Sequence, residues 1–440
     1  MLSNISFSLG LEVNPMNIPS SPSASEQDAT NSSADALTPI DNKNYFIYDQ
    51  YGDNKMPPVG PIAILCTRGA QELGSSLNER LATRRQAYLN YEDIQQDLPT
   101  GFIRDDYRVD LDLVRFSSGE GKAVINRSIR GHDVYILCDP MNYSCTYTMF
   151  GLENHMSPDD HFQDLVRAIL AASGRARRIS VIMPFLYEGR QHRKIARESL
   201  DCAYMLEELR DLGITNFITF DAHDDRVFNS VPFSGFESIP TAYQIIKAIV
   251  RKFPDIDFNP QKMMVISPDE GAIGRSMYYA SVLGLPLGTF YKRRDYSTIK
   301  DGHNPIVAHE FLGDSVEGLD VLIVDDMISS GGSMLDLAKM LKEGKANKVI
   351  CAVSFALFTN GYEKFDKAYE EGLIDQVFAT NLIYHDPELL AKPWYTDADF
   401  SKFLALIIDG LNHNASITTL LNSGKKIKRV IANHQKELGK

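Results

Sequence analysis

Short apolar runs alternate with segments of helical periodicity along most of the chain after residue 60. The apolar runs have the length and composition of buried strands, and they are Pro61–Cys66, Asp133–Cys138, Arg178–Phe185, Asn216–Phe220, Lys262–Ile266, Val321–Val324, Lys348–Phe355 and Gln376–Ile383. The helical segments between them are Asp160–Ala172, Ser199–Leu212, Ala242–Phe253, Ser333–Glu343 and Tyr362–Glu371. This alternation predicts βαβ units and an α/β fold, with largely parallel sheets flanked by helices.

The same order of strand, polar loop and helix occurs in both halves of the chain. In the first half Arg178–Phe185 precedes Ser199–Leu212, and in the second half Val321–Val324 precedes Ser333–Glu343. The helix predicted at Ser333–Glu343 has apolar residues at i, i+3, i+4 and i+7 and is followed by a glycine that suits its end. We therefore predict two similar α/β domains, at residues 58–240 and 241–440.

Residues 1–44 lack this pattern. They are rich in Ser, Asn, Asp and Pro and show no hydrophobic period. Such a segment buries too little apolar surface to offset the entropy lost on ordering. We predict a disordered N-terminal extension.

Composition narrows the class of protein. The chain has 440 residues, of which 44% are hydrophobic and 23% charged, as in a globular protein. Its formal net charge of −13 argues against a protein that coats nucleic acid or an anionic membrane. No apolar run approaches the roughly 20 residues of a membrane helix, and the N-terminus has no basic region typical of a secretion signal. We expect a cytoplasmic protein that binds neither nucleic acid nor membrane.

The most informative segment is Val321–Ser333, with the sequence VLIVDDMISSGGS. An apolar strand ends in two acids, and a loop of small residues then opens a helix. Ligands bind beyond the C-terminal ends of parallel strands, and the loop's N–H groups with the helix N-terminus suit an anion. The two acids suit the hydroxyls of a sugar attached to that anion, or a cation held by those hydroxyls. The alternative is an acidic helix cap followed by a glycine turn.

This segment resembles the loop that binds the phosphoribosyl group in the phosphoribosyltransferase fold. Other segments resemble, in the same order, motifs of the ribose-phosphate pyrophosphokinases. They are Phe116–Glu120 (FSSGE), Ile129–Ile136 (IRGHDVYI), Pro184–Gln191 (PFLYEGRQ), Thr219–His223 (TFDAH), Ser267–Gly271 (SPDEG) and Tyr291–Arg294 (YKRR). The resemblance extends from about Pro61 to about Leu420 and implies two phosphoribosyltransferase-type domains.

The resemblance implies that the diphosphoryl group of ATP moves to the 1-hydroxyl of ribose 5-phosphate, giving 5-phosphoribosyl 1-diphosphate and AMP. Lys292 and Arg294 would stabilise the negative charge of the transition state. We read both as following a strand, with the polar segment Asp295–Asn304 as a lid. His223 and Asp269 would approach Mg²⁺. Asp269 is the better direct ligand, and for His223 contact through water is an alternative to direct contact. The ribose 5-phosphate site would comprise Asp325, Asp326, Ser329, Ser330, Gly331, Gly332 and Ser333.

ATP would be bound by two groups of residues. They are Phe116, Ser118 and Glu120 on the adenine side, and Arg190 with Gln191. Phe116 is suited to stacking, Glu120 to accepting a base amino hydrogen, and Arg190 to binding phosphate. In the family these groups come from different subunits, which implies a homo-oligomer with the ATP site at a subunit interface.

The chain departs from the family pattern in the sugar-phosphate loop, where Ser329 stands at the position of a third acid. We expect weaker ribose binding as a consequence. Two alternatives to the active enzyme are open at this point. One is a regulatory homologue without catalysis, which would not need all of the site residues. The other is a base phosphoribosyltransferase, which would need only one such domain and no ATP-side residues.

Overall fold

The computed structural model describes residues 56–90, 98–194, 197–294 and 306–439. The predicted disordered extension, residues 1–44, and the predicted lid, Asp295–Asn304, lie outside these ranges. The described residues form two larger sheets, two small hairpins and the helices that cover the sheets.

The strands, in chain order, are β1 (Ile62–Cys66), β2 (Leu111–Arg115), β3 (Gly121–Ile125), β4 (Asp133–Leu137), β5 (Thr146–Met149), β6 (Leu152–His155), β7 (Arg178–Ile182), β8 (Asn216–Phe220), β9 (Gly235–Ile239), β10 (Met263–Ser267), β11 (Leu287–Arg294), β12 (Ile306–Leu312), β13 (Asp320–Ile328), β14 (Val349–Ala356), β15 (Gln376–Thr380) and β16 (Tyr395–Ala398). Every apolar run predicted as a strand overlaps a strand of one of the two larger sheets.

The helices are α1 (Gln71–Gln86), α2 (Pro158–Ala172), α3 (Asp201–Asp211), α4 (Ala242–Lys252), α5 (Ile273–Leu283), α6 (Gly332–Glu343), α7 (Glu363–Glu370), α8 (Pro387–Leu390), α9 (Ser401–Asn412), α10 (Thr418–Leu421) and α11 (Gly424–Glu437). Local sequence sets several of their ends. Helix α2 begins with a capping box, in which the Asp160 N–H donates to the Ser157 hydroxyl and the Ser157 N–H donates to the Asp160 carboxylate. Helix α5 ends at Leu283 and is followed by Gly284, which has a φ of 69°.

The first larger sheet has five parallel strands in the order β1-β4-β7-β8-β9. The second has seven strands in the order β12-β11-β10-β13-β14-β15-β16. Only β12 in this sheet runs antiparallel to its neighbour. The predicted α/β class with largely parallel sheets is confirmed. In chain order, the last strand of the first sheet ends at Ile239 and the first strand of the second sheet begins at Met263. The domain limits at residue 240 stay a prediction.

One hydrophobic core is shared by both halves. It combines one face of each larger sheet with apolar residues of α4 and α9. Two aromatic contacts cross between the halves, with ring centroids 5.1 Å apart for Phe185 and Phe355 and 5.6 Å apart for Phe220 and Phe400. The outer faces of the two sheets have separate cores under helices α2 and α3 and under α6 and α7. This packing places the ends of β8 and β13 close together.

Candidate active site

Two adjacent carboxylates lie within the last part of β13, after the buried run Val321–Val324. Asp325 is half-buried and Asp326 is buried. Burial and the neighbouring charge of Asp326 raise the pKa of Asp325 to about 8. Burial also opposes ionisation of Asp326, but the hydrogen bond from His223 and the charge of Arg275 hold its pKa below the ordinary value. The pair is thus prone to hold one proton.

His223 reaches this pair from the first half of the chain. It follows strand β8 by three residues, and its Nδ1 lies 2.5 Å from Oδ2 of Asp326. This hydrogen bond raises the pKa of His223, against the opposing effect of its partial burial. The predicted metal residue His223 and the predicted sugar residue Asp326 therefore contact one another across the two halves.

Asp269 follows β10, the neighbour of β13. Its Oδ1 accepts hydrogen bonds from the backbone N–H groups of Gly271 at 3.0 Å and Ala272 at 3.2 Å, at the start of α5. Its charge also contributes to the raised pKa of Asp325, after burial and Asp326. The second predicted metal residue thus lies on the same edge of the sheet as the acid pair.

The loop after β13 has the geometry of an anion site. Gly331 has a φ of 78°, and a Cβ atom at this position would overlap the Phe365 ring, so both conformation and packing require glycine. Helix α6 begins at Gly332. Its first N–H groups have no partner within the helix, and the helix dipole there favours negative charge. Ser330 and Ser333 are exposed beside these groups.

A small cavity opens next to His223. The first half contributes Arg190 and Asp221 to its lining, and the second half contributes Met327 and Phe355. Arg190 is exposed at this cavity, and its binding of phosphate stays a prediction. The Nε2 of Gln191 donates to the carbonyl oxygens of Ser199 at 2.8 Å and Arg193 at 3.3 Å. Its role in ATP binding stays a prediction.

The adenine-side residues lie on the turn between β2 and β3. The Phe116 side chain is 47% exposed, and the Ser118 hydroxyl donates to Oε2 of Glu120 at 2.9 Å. Among the described side chains, no hydrogen bond or ring contact joins this turn to Arg190 or His223. The structure of one chain therefore does not bring the two groups of ATP residues together. Their meeting across a subunit interface stays a prediction.

Lys292 and Arg294 lie inside a strand. Both belong to β11, where Lys292 is opposite His309 of β12 and the register shifts between Arg293 and Arg294. The prediction that they follow a strand is wrong, because antiparallel pairing with β12 extends β11 beyond its apolar part. The side chains of Lys292 and Arg294 lie outside the described part of the structure.

Sequence reasoning missed Arg275. Its Nε donates to both carboxylate oxygens of Asp221, at 2.8 and 2.9 Å, and its charge acts on Asp326 and Asp325. The signal available was a single basic residue in the otherwise uncharged helix α5. Asp221 was part of a recognised motif, but nothing in the sequence paired it with Arg275.

The donors suit Mg²⁺. Within the described ranges, no group of three or more His, Cys, Asp or Glu side chains forms a complete metal site. Mg²⁺ prefers oxygen, keeps several waters and commonly binds through one or two carboxylates together with substrate phosphates. Asp269 fits this kind of site as a carboxylate ligand, and His223 fits it as a residue that acts through a retained water.

No helix in the described ranges combines the length and the apolar character needed to span a membrane.

Comparison with known proteins identifies both halves. Residues 63–213 match the model of the N-terminal domain of ribose phosphate pyrophosphokinase, and residues 235–387 match that of the phosphoribosyl transferase domain. A ribose-phosphate pyrophosphokinase from Mycoplasma pneumoniae is 31% identical over 276 residues, which cover 61% of this chain and 74% of the relative. One from Vibrio cholerae is 29% identical over 322 residues, which cover 71% of this chain and 91% of the relative.

The crystal structure of phosphoribosylpyrophosphate synthetase from Mycobacterium smegmatis has the same fold. It superposes with a TM-score of 0.62 at 20% sequence identity, covering 80% of this chain and 99% of that one. The fold is therefore a pair of phosphoribosyltransferase-type domains, each with a largely parallel sheet flanked by helices. The chain belongs to the ribose-phosphate pyrophosphokinase family.

Proposed function

We propose that this protein is a ribose-phosphate diphosphokinase, which transfers the diphosphoryl group of ATP to the 1-hydroxyl of ribose 5-phosphate. The products are 5-phosphoribosyl 1-diphosphate and AMP. The observation that carries the proposal is the contact of His223 with Asp326, because it joins the ATP-side half to the sugar-side half at one site. Relatives named ribose-phosphate pyrophosphokinase support the reaction class.

Ribose 5-phosphate would bind along the end of β13. The unpartnered N–H groups at the start of α6, with the hydroxyls of Ser330 and Ser333, suit the three anionic oxygens of the 5-phosphate. Asp325 and Asp326 precede this loop and are suited to accept hydrogen bonds from the ribose hydroxyls. A sugar phosphate that spans loop and acids would have its anomeric carbon directed away from the phosphate loop.

In the reaction, the 1-hydroxyl oxygen attacks the β-phosphorus of ATP, the bond to the α–β bridging oxygen breaks, and AMP leaves with that oxygen. The hydroxyl proton is released to solvent. Asp269 and His223 would hold Mg²⁺, which supplies charge neutralisation on the phosphates when bound. Arg190 is suited to hold ATP phosphate at the cavity. Lys292 and Arg294 would stabilise the charge that develops on the phosphoryl oxygens.

The ATP site would be completed by a second copy of the chain. Phe116 is exposed on the β2–β3 turn, next to the exposed Phe150 of the β5–β6 turn, whose N–H donates to the carbonyl oxygen of Ser117. Adenine bound by this turn would therefore sit beside apolar side chains that a single chain leaves in contact with solvent. A homo-oligomer would bring this surface to the Arg190 cavity of a neighbour.

The test is AMP release from ATP and Mg²⁺, with and without ribose 5-phosphate, by the protein and by Lys292→Ala. We expect release that requires the sugar phosphate and falls by on the order of 1,000-fold in the variant, since removing one donor to the transition state has effects of this size. Lys345→Ala, which removes an exposed lysine paired with Glu317, is the matched control and should keep full activity. Absence of AMP from the wild-type protein would favour the regulatory homologue instead.

A further inference from the structure

The hairpin formed by β5 and β6 has an unusual residue in its two-residue turn. Met149 is opposite Leu152, and the turn between them consists of Phe150 and Gly151, with φ values of 50° and 77°. Positive φ at both positions matches a type I′ turn, for which Asn-Gly and Asp-Gly are strongly preferred. Glycine suits the second position, but a bulky aromatic residue in the left-handed region is rare and strained. The conformation of the turn therefore does not explain Phe150.

Packing does not explain Phe150 either. The residue is 78% exposed, so most of its ring is in contact with solvent rather than with the rest of the described chain. Exposure of an aromatic side chain of this size brings no gain in the stability of the fold. A residue that breaks a local rule without a compensating contact is expected where a site has a function, and left-handed backbone strain is concentrated at such sites.

Phe150 is fixed to the adenine-side turn, Phe116–Glu120. Its N–H donates to the carbonyl oxygen of Ser117 at 2.8 Å. A Cβ atom at Gly119 would lie 2.6 Å from the sulfur of Met149, so the two turns are in close contact at a second point. These two contacts hold the backbone of Phe150 beside the residues predicted to bind adenine.

Arg115 connects the hairpin and the adenine-side turn from the side of the core. Its guanidinium carbon lies 4.8 Å from the centroid of the Tyr147 ring on β5, and its Nη1 donates to the carbonyl oxygen of Gly119 at 3.3 Å. Its Nη2 donates to Oδ1 of Asp164 on α2 at 3.1 Å, and Asp164 is buried. The hairpin and the adenine-side turn are therefore held to one helix as a single unit.

The surface that this unit presents suits a nucleotide base. Phe116 and Phe150 offer exposed aromatic rings, and the Ser118 hydroxyl with the Glu120 carboxylate offers hydrogen-bonding groups beside them. Aromatic rings stack on the face of any base, and polar groups at its edge select among bases. A specific protein interface buries roughly 1,600 Å², of which two rings supply only a small part. On their own, these rings suit a small flat ligand better than a second protein surface.

We propose that Phe150 contacts the adenine base of ATP together with Phe116, and that the hairpin thereby favours a purine nucleotide over a pyrimidine one. The inference rests on the function proposed above and adds a residue of a second turn to its base site. A purine offers a larger face for stacking than a pyrimidine, which gives the preference its physical reason. Phe150 would contact the base and not the reacting phosphates, so it acts on nucleotide affinity rather than on the rate of transfer.

The test measures nucleotide binding to the full chain by isothermal titration calorimetry, with Mg²⁺ and without ribose 5-phosphate. The probes are the α,β-methylene analogues of ATP and of CTP, whose α–β bridge is resistant to cleavage. In Phe150→Asn we expect the dissociation constant of the ATP analogue to rise about tenfold, since stacking of a base on an aromatic side chain has effects of this size. The dissociation constant of the CTP analogue should rise by a smaller factor. Phe150→Tyr keeps an aromatic ring and should bind both analogues as wild type does.

The choice of asparagine separates loss of binding from loss of structure. Asparagine is preferred at this position of a type I′ turn, so the melting temperature of Phe150→Asn should not fall below that of wild type. A lower melting temperature would show that the ring stabilises the fold and would overturn the argument from the turn. Tyr204→Ala is the matched control, because it removes another exposed aromatic ring of the first half, 69% exposed on α3, and should leave binding of both analogues unchanged.

Sedimentation velocity distinguishes a base-binding role from a subunit contact. Phe150→Asn should sediment as wild type does at the concentrations used for calorimetry. Dissociation of a larger species together with the loss of nucleotide binding would show that Phe150 lies in a contact between copies of the chain, and it would overturn the base-binding role.

Two outcomes separate this inference from the proposed function. If the wild-type protein releases AMP but Phe150→Asn binds the ATP analogue as tightly as wild type, the role of Phe150 is overturned and the function stands. If the wild-type protein releases no AMP but Phe150→Asn weakens binding of the ATP analogue more than that of the CTP analogue, the function is overturned and the role of Phe150 stands. Should Phe150→Asn fail to fold, Phe150→Gly, which also suits the left-handed region, decides the question in the same assay.

Discussion

Two of the places where carboxylates are buried between the two halves differ in their surroundings. At the first, the Asp409 network, Asp409 of α9 accepts from Nε of Arg84 at 2.7 Å, Nε of Arg85 at 3.1 Å and the Tyr88 hydroxyl at 2.9 Å. Burial opposes the charge of Asp409, but the two arginines outweigh it and hold its pKa well below the ordinary range. Every part of this network is provided by the protein.

At the second place, the acid pair of β13, burial and the charge of Asp326 instead raise the pKa of Asp325 to about 8. Asp326 is compensated by His223 and Arg275, whereas Asp325 experiences further negative charge from Asp269. This difference distinguishes a structural network from a binding site. Paired charges stabilise the fold. A carboxylate whose ionised form is disfavoured by burial and by neighbouring negative charge is suited to a ligand that brings hydroxyls or a cation.

The largest predicted effect is the loss of stability on replacing Asp409. Asp409→Asn would leave the fully buried Arg85 with an uncompensated charge, so we expect the free energy of unfolding to fall by about 3–5 kcal/mol. Urea unfolding followed by circular dichroism measures this loss. AMP release per folded molecule should be unchanged, because Asp409 lies outside the candidate site.

Arg80→Gln is the matched control for Asp409→Asn, since Arg80 of the same helix α1 contacts Asp399 at 3.5 Å with both side chains 47% exposed. An exposed pair of this kind contributes roughly 0–1 kcal/mol. Equal, small losses of stability in both variants would show that the Asp409 network does not stabilise the fold.

Local sequence predicted the parts of the site, but not how they meet. Strand β8 has the predicted bounds, Asn216–Phe220, and the acids of β13 were found because a buried run that ends in charge is a local signal. The contact of His223 with Asp326 joins residues 103 positions apart and depends on how the two sheets pack. The extension of β11 through Arg294 was missed for the same reason, because it depends on pairing with β12.

The acid pair should be visible in the pH dependence of stability. An unfolded Asp325 loses its proton near its ordinary pKa of 3.8, whereas the folded residue keeps it until about pH 8. Between these values the folded state binds more protons, so this residue lowers the free energy of unfolding as the pH rises. In Asp325→Asn, measured without divalent cations, the fall between about pH 5 and about pH 8 should be smaller than in wild type by on the order of 4 kcal/mol. Parallel curves for the two proteins would contradict the raised pKa.

The smallest expected effect comes from adding a carboxylate to the acid pair rather than removing one. Ser329 is half-buried just after β13, and its carbonyl oxygen accepts from the Thr359 N–H at 3.0 Å, so the backbone there is fixed. In Ser329→Asp the KM for ribose 5-phosphate should fall about threefold, because one added hydrogen bond to a ribose hydroxyl has a net value of about 0.5–1.5 kcal/mol and the new charge opposes Asp325 and Asp326. Ser330→Asp is the matched control. It places the same charge beside the N–H groups of α6, where it should repel the 5-phosphate and raise the KM. Equal KM values in Ser329→Asp and wild type would show that the serine does not weaken ribose binding, and a fall in Ser330→Asp would contradict the placement of the phosphate.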